Sequence, residues 1–227
     1  MKVLLWMPTA DGKIPVDMLQ FLMSMETKHD VDMTFPIRLP IATARNKIIN
    51  HAINNNFDYI WRLDDDNPPE VPNALDLLLE HWADIVSWCV PSRQRHKDWT
   101  YKLCIYDKKE VKDGVMRHQM EKMPTSFMEI ANCGCWCVVM SVKCLKELVQ
   151  HFPAPCETSL HKYHSIWDDR VNSDYIENVW DSLWIHNIIS EDLILVERLT
   201  YLGYKAFADH RVYCKHQTTW YVTIRDL

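Results

Sequence analysis

Three consecutive carboxylates, Asp64–Asp66, are the strongest chemical signal in the sequence. They follow an apolar segment, Tyr59–Leu63, and precede Asn67–Pro69, which cannot continue a strand because proline lacks a backbone N–H. Adjacent carboxylates repel one another, and a hard divalent cation bound through oxygen relieves that repulsion. A solvated acidic turn would also accommodate them. We favour a ligand or metal role, because ligands bind at the carboxyl ends of strands in α/β sheets.

A second acidic pair, Glu191-Asp192, follows Ser190, which is a suitable N-cap for a helix. Acidic residues in a first helical turn are favoured by the helix dipole alone, so the pair could be purely structural. The same dipole keeps a carboxylate ionised at neutral pH. An ionised carboxylate beside a substrate hydroxyl is a competent general base.

Two basic or titratable residues are weaker candidates. His216 follows the last apolar segment and is either structural or a metal ligand. Arg45, within Ala44-Arg45-Asn46, is either a surface residue of a helix or a partner for phosphate or a nucleotide base.

Apolar segments and helical patterns alternate through the first ninety residues. The predicted strands are Val3–Met7, Val31–Ile37, Tyr59–Leu63 and Ile85–Val90. The predicted helices run from Pro15 to near Lys28, through Ala44–Ile53, and onward from Pro72. Repeated β-α-β units predict an α/β fold, a Rossmann-like mixed but mainly parallel sheet with helices on both faces.

The pattern changes after residue 90. Strands are predicted at Trp99–Tyr106, Val111–His118, Met128–Met140, Lys205–Ala208 and Val212–Cys214. Ser141 should cap one helix, and Ser190 should cap another that Gly203 ends. Between them, His151–Ile189 reads as a long functional loop with a short helix near Val179–Ile185. We expect one compact domain rather than two.

Composition excludes several classes of protein. The chain has 227 residues and a formal net charge of −6, which argues against a general nucleic-acid binder. No segment approaches the roughly 18 apolar residues of a membrane span, so we expect no transmembrane segment. With four glycines and no GxGxxG or GxxxxGK[ST] motif, a glycine-rich phosphate loop is not expected.

The eight cysteines contain no CxxC pair. Because the N-terminal segment reads as a buried strand and not as a signal peptide, we interpret them as reduced thiols of a cytoplasmic protein. Cys133, Cys135 and Cys137 would share one face of a strand. They could hold zinc, but buried apolar thiols are the simpler interpretation.

The order of these motifs resembles the family 2-like glycosyltransferases of the GT-A fold, through nearly the whole chain. The motifs that carry the resemblance are Pro8-Thr9, Ala44-Arg45-Asn46, the Asp-x-Asp element Asp64-Asp65-Asp66-Asn67, Asn132-Cys133-Gly134, Ser190-Glu191-Asp192-Leu193 and His216. Together they are much more specific than the Asp-x-Asp (DXD) element alone. The resemblance implies a GT-A-type domain with a nucleotide-binding half, residues 1–90, and an acceptor-binding half, residues 91–227.

The resemblance also implies roles for single residues. Pro8, Thr9 and Asp11 would contact the nucleotide, and Arg45 would lie near its base and phosphates. Asp66 would bind Mn²⁺ or Mg²⁺ directly, with Asp64 and Asp65 on the ribose or on metal-bound water. Asp192 would be the catalytic base, with Glu191 its neighbour, and His216 would ligate metal or diphosphate.

The implied reaction moves a sugar from a nucleoside diphosphate sugar to a hydroxyl of a glycan or another acceptor, with inversion. A sugar-phosphate nucleotidyltransferase would share the fold and the acidic site, but it normally needs the glycine-rich loop that is lacking. A non-catalytic nucleotide-sugar-binding module is a further alternative. A phosphatase with an aspartate nucleophile fits poorly with Asn67–Pro69. Sugar rings could stack on one of several tryptophans, each of which could equally be core: Trp88, Trp99, Trp136, Trp167, Trp180 and Trp184.

Overall fold

A computed structural model describes residues 1–9, 12–37, 41–95, 101–111, 114–120, 123–134, 137–152 and 191–214. Within these residues the chain forms five helices and twelve strands. The helices are α1 (Val16–Ser24), α2 (Ile41–Asn54), α3 (Ala74–Leu79), α4 (Val142–His151) and α5 (Glu191–Tyr201). The strands are β1 (Lys2–Trp6), β2 (Asp30–Thr34), β3 (Tyr59–Leu63), β4 (Ile85–Cys89), β5 (Pro91–Arg95), β6 (Tyr101–Leu103), β7 (Ile105–Val111), β8 (Gly114–Gln119), β9 (Met128–Ile130), β10 (Asn132–Cys133), β11 (Cys137–Ser141) and β12 (Ala206–Tyr213).

Seven of these strands form one sheet in the order β2-β1-β3-β11-β4-β12-β9. Strands β2, β1 and β3 are parallel to one another, and β12 is parallel to β4. Strand β11 lies antiparallel between β3 and β4, and β9 is antiparallel to β12. Five strands therefore run one way and two run the other, which confirms the predicted mixed, mainly parallel α/β sheet.

Helices cover both faces of this sheet, as the apolar patterns predicted. Successive residues of a strand point to opposite faces, so Ile60 packs with α2, α4 and α5 while Trp61 packs with α1 and α3. On the face that carries Ile60, the buried residues include Ile49 of α2, Leu145 of α4 and Leu199 of α5. This two-sided burial explains why β3 and β4 read as continuous apolar segments and not as alternating ones.

The predictions for the first ninety residues are confirmed, with two shorter elements. Strand β2 ends at Thr34, although Ile37 still pairs with Thr9 in an isolated parallel bridge. Helix α1 ends at Ser24 and not near Lys28, because Met25 already has extended backbone angles. The sheet also takes β11, β12 and β9 from the second half of the chain, so it is shared between the two predicted halves.

The single strand predicted at Met128–Met140 is wrong. The segment forms β9, β10 and β11, which lie in different positions: β9 at an edge of the large sheet, β10 against β7, and β11 between β3 and β4. Asn132 marks one break, since its Oδ1 accepts from the Cys133 amide at 2.8 Å. Such local side-chain bonds compete with strand pairing.

Other predictions for the second half have mixed outcomes. Ser141 caps α4, with its hydroxyl accepting from the Cys144 amide, and Gly203 follows α5 with a φ of +92°. The two predicted closing strands form one bulged strand, β12. The predicted helix at Val179–Ile185 lies outside the described residues. No helix in the described part of the chain has the length and apolar character to cross a membrane.

Candidate functional site

The carboxyl ends of the parallel strands form one edge of the sheet, where the candidate residues collect. Strand β3 ends at Leu63, directly before Asp64. The antiparallel strand β11 starts beside the end of β3, because Cys137 is paired with Leu63. The loop after β3 therefore lies beside the start of β11. The Gly134 amide donates to the Cys104 carbonyl at 2.9 Å, and the Cys104 amide donates at 2.8 Å to the carbonyl of Val90, which follows the carboxyl end of β4. Both the acidic triplet and the Asn132-Cys133-Gly134 motif are thus at this edge.

Two buried polar residues hold the acidic triplet in place. The Arg62 guanidinium donates to Asp64 Oδ1 at 3.2 Å, and the Asn67 side-chain amide donates to Asp66 Oδ1 at 2.6 Å. The Asn67 backbone amide also donates to the Asp64 carbonyl at 3.2 Å, which closes a tight turn. Arg62 and Asn67 are each 1% exposed, whereas the triplet is partly exposed. The carboxylates are thus supported from inside the protein while solvent can reach them.

Arg62 is a site residue that sequence reasoning missed. The signal was present, because a charged residue interrupts the apolar segment Tyr59–Leu63. Its guanidinium carbon lies 5.1 Å from the ring centre of Trp6, a geometry that favours a buried cation.

The loop after the first strand reaches the same edge. Trp6 is in register with Arg62, so Pro8 and Asp64 are each two residues beyond a paired position of these neighbouring strands. The Thr9 amide donates to the Pro36 carbonyl at 3.0 Å, which ties this loop to the end of β2. Pro8 and Thr9 are therefore one strand away from the triplet. Asp11 lies outside the described residues.

Arg45 is an interior residue of α2, not the surface residue that was the alternative. It is 3% exposed, and the neighbouring Asn46 is 6% exposed. Because β2 ends at the carboxyl edge, the first turns of α2 start from that edge. A buried guanidinium keeps its charge and requires polar or anionic partners. Its position is compatible with the predicted role near a nucleotide.

Helix α5 carries Glu191 and Asp192 at its N-terminus, and Asn132 anchors that end of the helix. The Asn132 side-chain amide donates to the Leu193 carbonyl and to Glu197 Oε1, both at 3.1 Å. Asn132 is fully buried and Glu197 is 6% exposed. The side chains of Glu191 and Asp192 themselves are not among those described. The start of α5 is nevertheless tied to the segment that leads into β11 and so to the triplet's edge.

The end of β12 meets the loop that carries the triplet. The Glu70 amide donates to the Tyr213 carbonyl at 3.0 Å, and Pro69 and Cys214 form an isolated antiparallel bridge. His216, two positions later in the sequence, lies outside the described residues.

The chemistry of the donors fits Mg²⁺ or Mn²⁺, which prefer carboxylate oxygens. Among the described residues, no group of three or more His, Cys, Asp or Glu side chains could hold a metal ion. Magnesium is commonly bound by one or two carboxylates, with substrate phosphates completing the shell. Asp65 and Asp66 could supply such a partial set.

The described cysteines do not form a zinc site. They are free, buried thiols: Cys89, Cys104, Cys133, Cys144 and Cys214. Burial raises the pKa of the Cys89 and Cys144 thiols to about 12, so both stay protonated near neutral pH. Cys135 lies outside the described residues. Trp88 is core and not a sugar platform, since it is fully buried and packs edge-on against Trp61.

No protein-family model and no curated protein matches the sequence. Among solved structures, the crystal structure of A197 from STIV is similar, with a TM-score of 0.53. The two sequences are 13% identical, and the match covers 96% of this chain and 87% of A197. At that identity the similarity concerns the fold alone. The match is consistent with the Rossmann-like α/β fold that the described residues form.

Proposed function

We propose that this protein is a metal-dependent, inverting glycosyltransferase that uses a nucleoside diphosphate sugar and an acceptor hydroxyl. The observation that carries the proposal is the anchoring of α5 by Asn132. It ties the helix that begins with Glu191-Asp192 to the segment entering β11, beside the acidic triplet. This contact supports a site in which acidic residues far apart in the sequence share one edge of the sheet.

Separate residues of the chain would bind the nucleotide, bind the cation and accept the proton. Thr9 and Arg45 would contact the nucleotide, and Asp66 would hold the cation. A divalent cation bound there would offset the charge of the departing diphosphate. The acceptor oxygen would give its proton to Asp192 and bond to the anomeric carbon. The carbon–oxygen bond to the diphosphate would break, and its electron pair would leave with the diphosphate.

The helix dipole supports Asp192 as the base. It is the second residue of α5, where the partial positive charge of the helix end stabilises a carboxylate. An ionised carboxylate is ready to accept the proton of an acceptor hydroxyl. We also infer a reducing, cytoplasmic location, which the buried free thiols support.

A thermal-shift panel tests the binding step. UDP, GDP, ADP, CDP and dTDP would each be added with and without Mn²⁺. A nucleotide at 100 times its dissociation constant stabilises the folded state by about 2.7 kcal/mol, so one nucleotide should raise the melting temperature only with Mn²⁺. Asp66→Asn should abolish that shift. Glu70→Gln, which removes an exposed carboxylate from the same loop, should keep it.

The transfer step needs a second comparison. Asp192→Asn should keep the metal-dependent shift and lose hydrolysis or transfer of the matching nucleotide sugar, while Glu191→Gln keeps most of it. Absence of any metal-dependent shift would contradict the proposal. Pyrophosphate release from a nucleoside triphosphate would favour a nucleotidyltransferase instead. Binding without turnover on any acceptor would favour a non-catalytic module.

A further inference from the structure

Strand β12 contains a large bulge just before it meets the acidic loop. Asp209 is paired with Trp88, and Tyr213 is paired with Cys89. The strand thus advances four residues, 209 to 213, while β4 advances one, 88 to 89. Bulges bend a strand and redirect the residues after the bend, and they are common beside active sites.

A single side chain, Arg211, holds this bulge in shape. Its Nε donates to Asp209 Oδ1 at 3.1 Å, and one terminal nitrogen donates to Asp209 Oδ2 at 2.7 Å. The Arg211 backbone amide donates to the same carboxylate at 3.0 Å. The guanidinium therefore binds both oxygens of the Asp209 carboxylate, in the paired geometry that arginine makes with carboxylates. This contact links two residues within the bulge.

The same guanidinium fastens the bulge to the end of α3. It donates to Glu80 at 2.7 Å and to the Leu77 carbonyl at 3.3 Å. His81 lies 3.1 Å from Asp209 and stacks on Phe127. Asp209 is fully buried. Burial alone raises the pKa of Asp209, but the hydrogen bonds from Arg211 and His81 outweigh it and hold that pKa below its ordinary value.

The bulge delivers the end of β12 to the acidic loop. The Tyr213 carbonyl accepts from the Glu70 amide at 3.0 Å, and Cys214 is bridged to Pro69. The Cys214 amide also donates to the Cys89 carbonyl at 3.3 Å. With regular parallel pairing after Asp209 and Trp88, His210 would lie beside Cys89; the bulge places Tyr213 there instead.

We propose that Arg211 is a positioning residue for the acidic site: by fixing the bulge against α3, it sets where β12 supports the loop of Asp64–Asp66. The metal-binding part of this inference rests on the proposed function. No contact between Arg211 and a substrate is required.

The decisive variant is Arg211→Lys, which keeps the charge but cannot form the two-pronged contact. Amide hydrogen exchange would be measured at Glu70, on the acidic loop, and at Met7, which donates to Thr34 on the other side of the sheet. We expect faster exchange at Glu70 and unchanged exchange at Met7. Mn²⁺ titration, followed by paramagnetic broadening of the Asp66 and Asn67 amide signals, should show a loss of Mn²⁺ affinity relative to the unmodified protein.

Two further variants guard the result. Glu80→Ala removes one partner of Arg211 at the end of α3 and leaves its contacts with Asp209 and the Leu77 carbonyl, so it should give the same changes at smaller size, which covers failure of Arg211→Lys to fold. Lys205→Met removes an exposed ion pair with Glu129 at the other end of β12 and should change neither readout.

The outcomes separate this inference from the proposed function. Equal acceleration at Glu70 and Met7, or no change at Glu70, would overturn the positioning role. Unchanged Mn²⁺ affinity despite faster exchange at Glu70 would also overturn it. If Mn²⁺ does not broaden the loop of the unmodified protein, the proposed function loses its metal, and exchange at Glu70 still decides whether Arg211 positions the loop.

Discussion

The Arg62 guanidinium reaches the first carboxylate of the acidic triplet from inside the sheet, 3.2 Å from Asp64 Oδ1. Arg62 is almost fully buried, whereas Asp64 is about a quarter exposed, with 26% of its side chain accessible. The three carboxylates are therefore not equivalent. Asp64 offsets a buried positive charge, whereas Asp66 is held by a neutral amide from Asn67. This difference predicts separate effects on stability and on metal binding.

Asp64→Asn should mainly lower the unfolding free energy, whereas Asp66→Asn should mainly weaken metal-dependent binding. The first removes a carboxylate that offsets the buried charge of Arg62 and should cost about 1–3 kcal/mol of unfolding free energy. The second should cost little stability and should remove Mn²⁺-dependent nucleotide binding. Urea denaturation and the nucleotide thermal-shift assay measure the two effects. Equal stability of the two variants would contradict the assigned role of Arg62.

Asn132 should be sensitive even to its isosteric replacement. Asn132→Asp removes the amide donor to Leu193 and Glu197, and it places a second carboxylate beside buried Glu197. Asn132→Ala removes that donor and also the Oδ1 that accepts from the Cys133 amide, and leaving a buried partner unpaired typically costs about 1–3 kcal/mol. We expect Asn132→Asp to be the less stable of the two near neutral pH. Denaturation at pH 7 and pH 5 measures this, and the aspartate variant should recover at the lower pH as one carboxyl of the pair protonates.

The ionised, buried Asp209 should make the unfolding free energy of the protein fall at acidic pH. Its folded-state pKa is below the ordinary value, so its contribution to stability is present above the unfolded-state pKa of about 3.9 and is lost as pH falls from there. Asp209→Asn should therefore destabilise the protein near neutral pH. The gap to the unmodified protein should narrow below about pH 4.

Asp32→Asn is the matched control for that titration. Asp32 is an exposed carboxylate 3.7 Å from Lys2, a surface pair of the kind that contributes little to stability. Its denaturation curves should follow those of the unmodified protein at every pH. A gap for Asp209→Asn that stays constant as the pH falls well below about 4 would show that its effect is not ionisation.

Gly203 ends α5 with a backbone conformation that other residues avoid. Its φ is +92°, and a Cβ there would have no atom within 4 Å, so strain alone decides the effect of substitution. Gly203→Ala should cost about 1 kcal/mol, and Gly203→Asn should cost less because asparagine tolerates positive φ. Thermal denaturation measures both. A loss of unfolding free energy for Gly203→Ala well above about 1 kcal/mol would indicate a steric clash and would contradict the open space around this residue.

Local patterns in the sequence were sufficient for the elements that are buried on both faces. Tyr59–Leu63 and Ile85–Cys89 are strands because every residue of each is buried, so composition and flanking turn residues mark them. Ser141 and Gly203 were predictable because capping depends on the chemistry of one residue and its neighbours. The position of Asp64–Asp66 directly after β3 was predictable because the apolar segment ends at Leu63 and Asn67–Pro69 cannot continue a strand.

Strand pairing could not be predicted from local patterns. Residues 128–140 have the composition of one strand, but they contribute to three because each piece pairs with a different partner: β9 with β12, β10 with β7, and β11 with β3 and β4. Strand propensity depends on those partners and not on the segment alone.

The α/β class and the acidic turn after β3 could be read from the amino-acid chain, since both follow from local periodicity and residue type. Three relationships required the folded protein: Arg62 supports Asp64, Asn132 anchors α5, and a bulge held by Arg211 brings β12 to the acidic loop. Each of these contacts joins a side chain to a charge or a strand placed by the whole sheet. Arg62 and Arg211 are each only two residues from the carboxylate that they bind, but burial by the whole sheet makes these pairs part of the site's support.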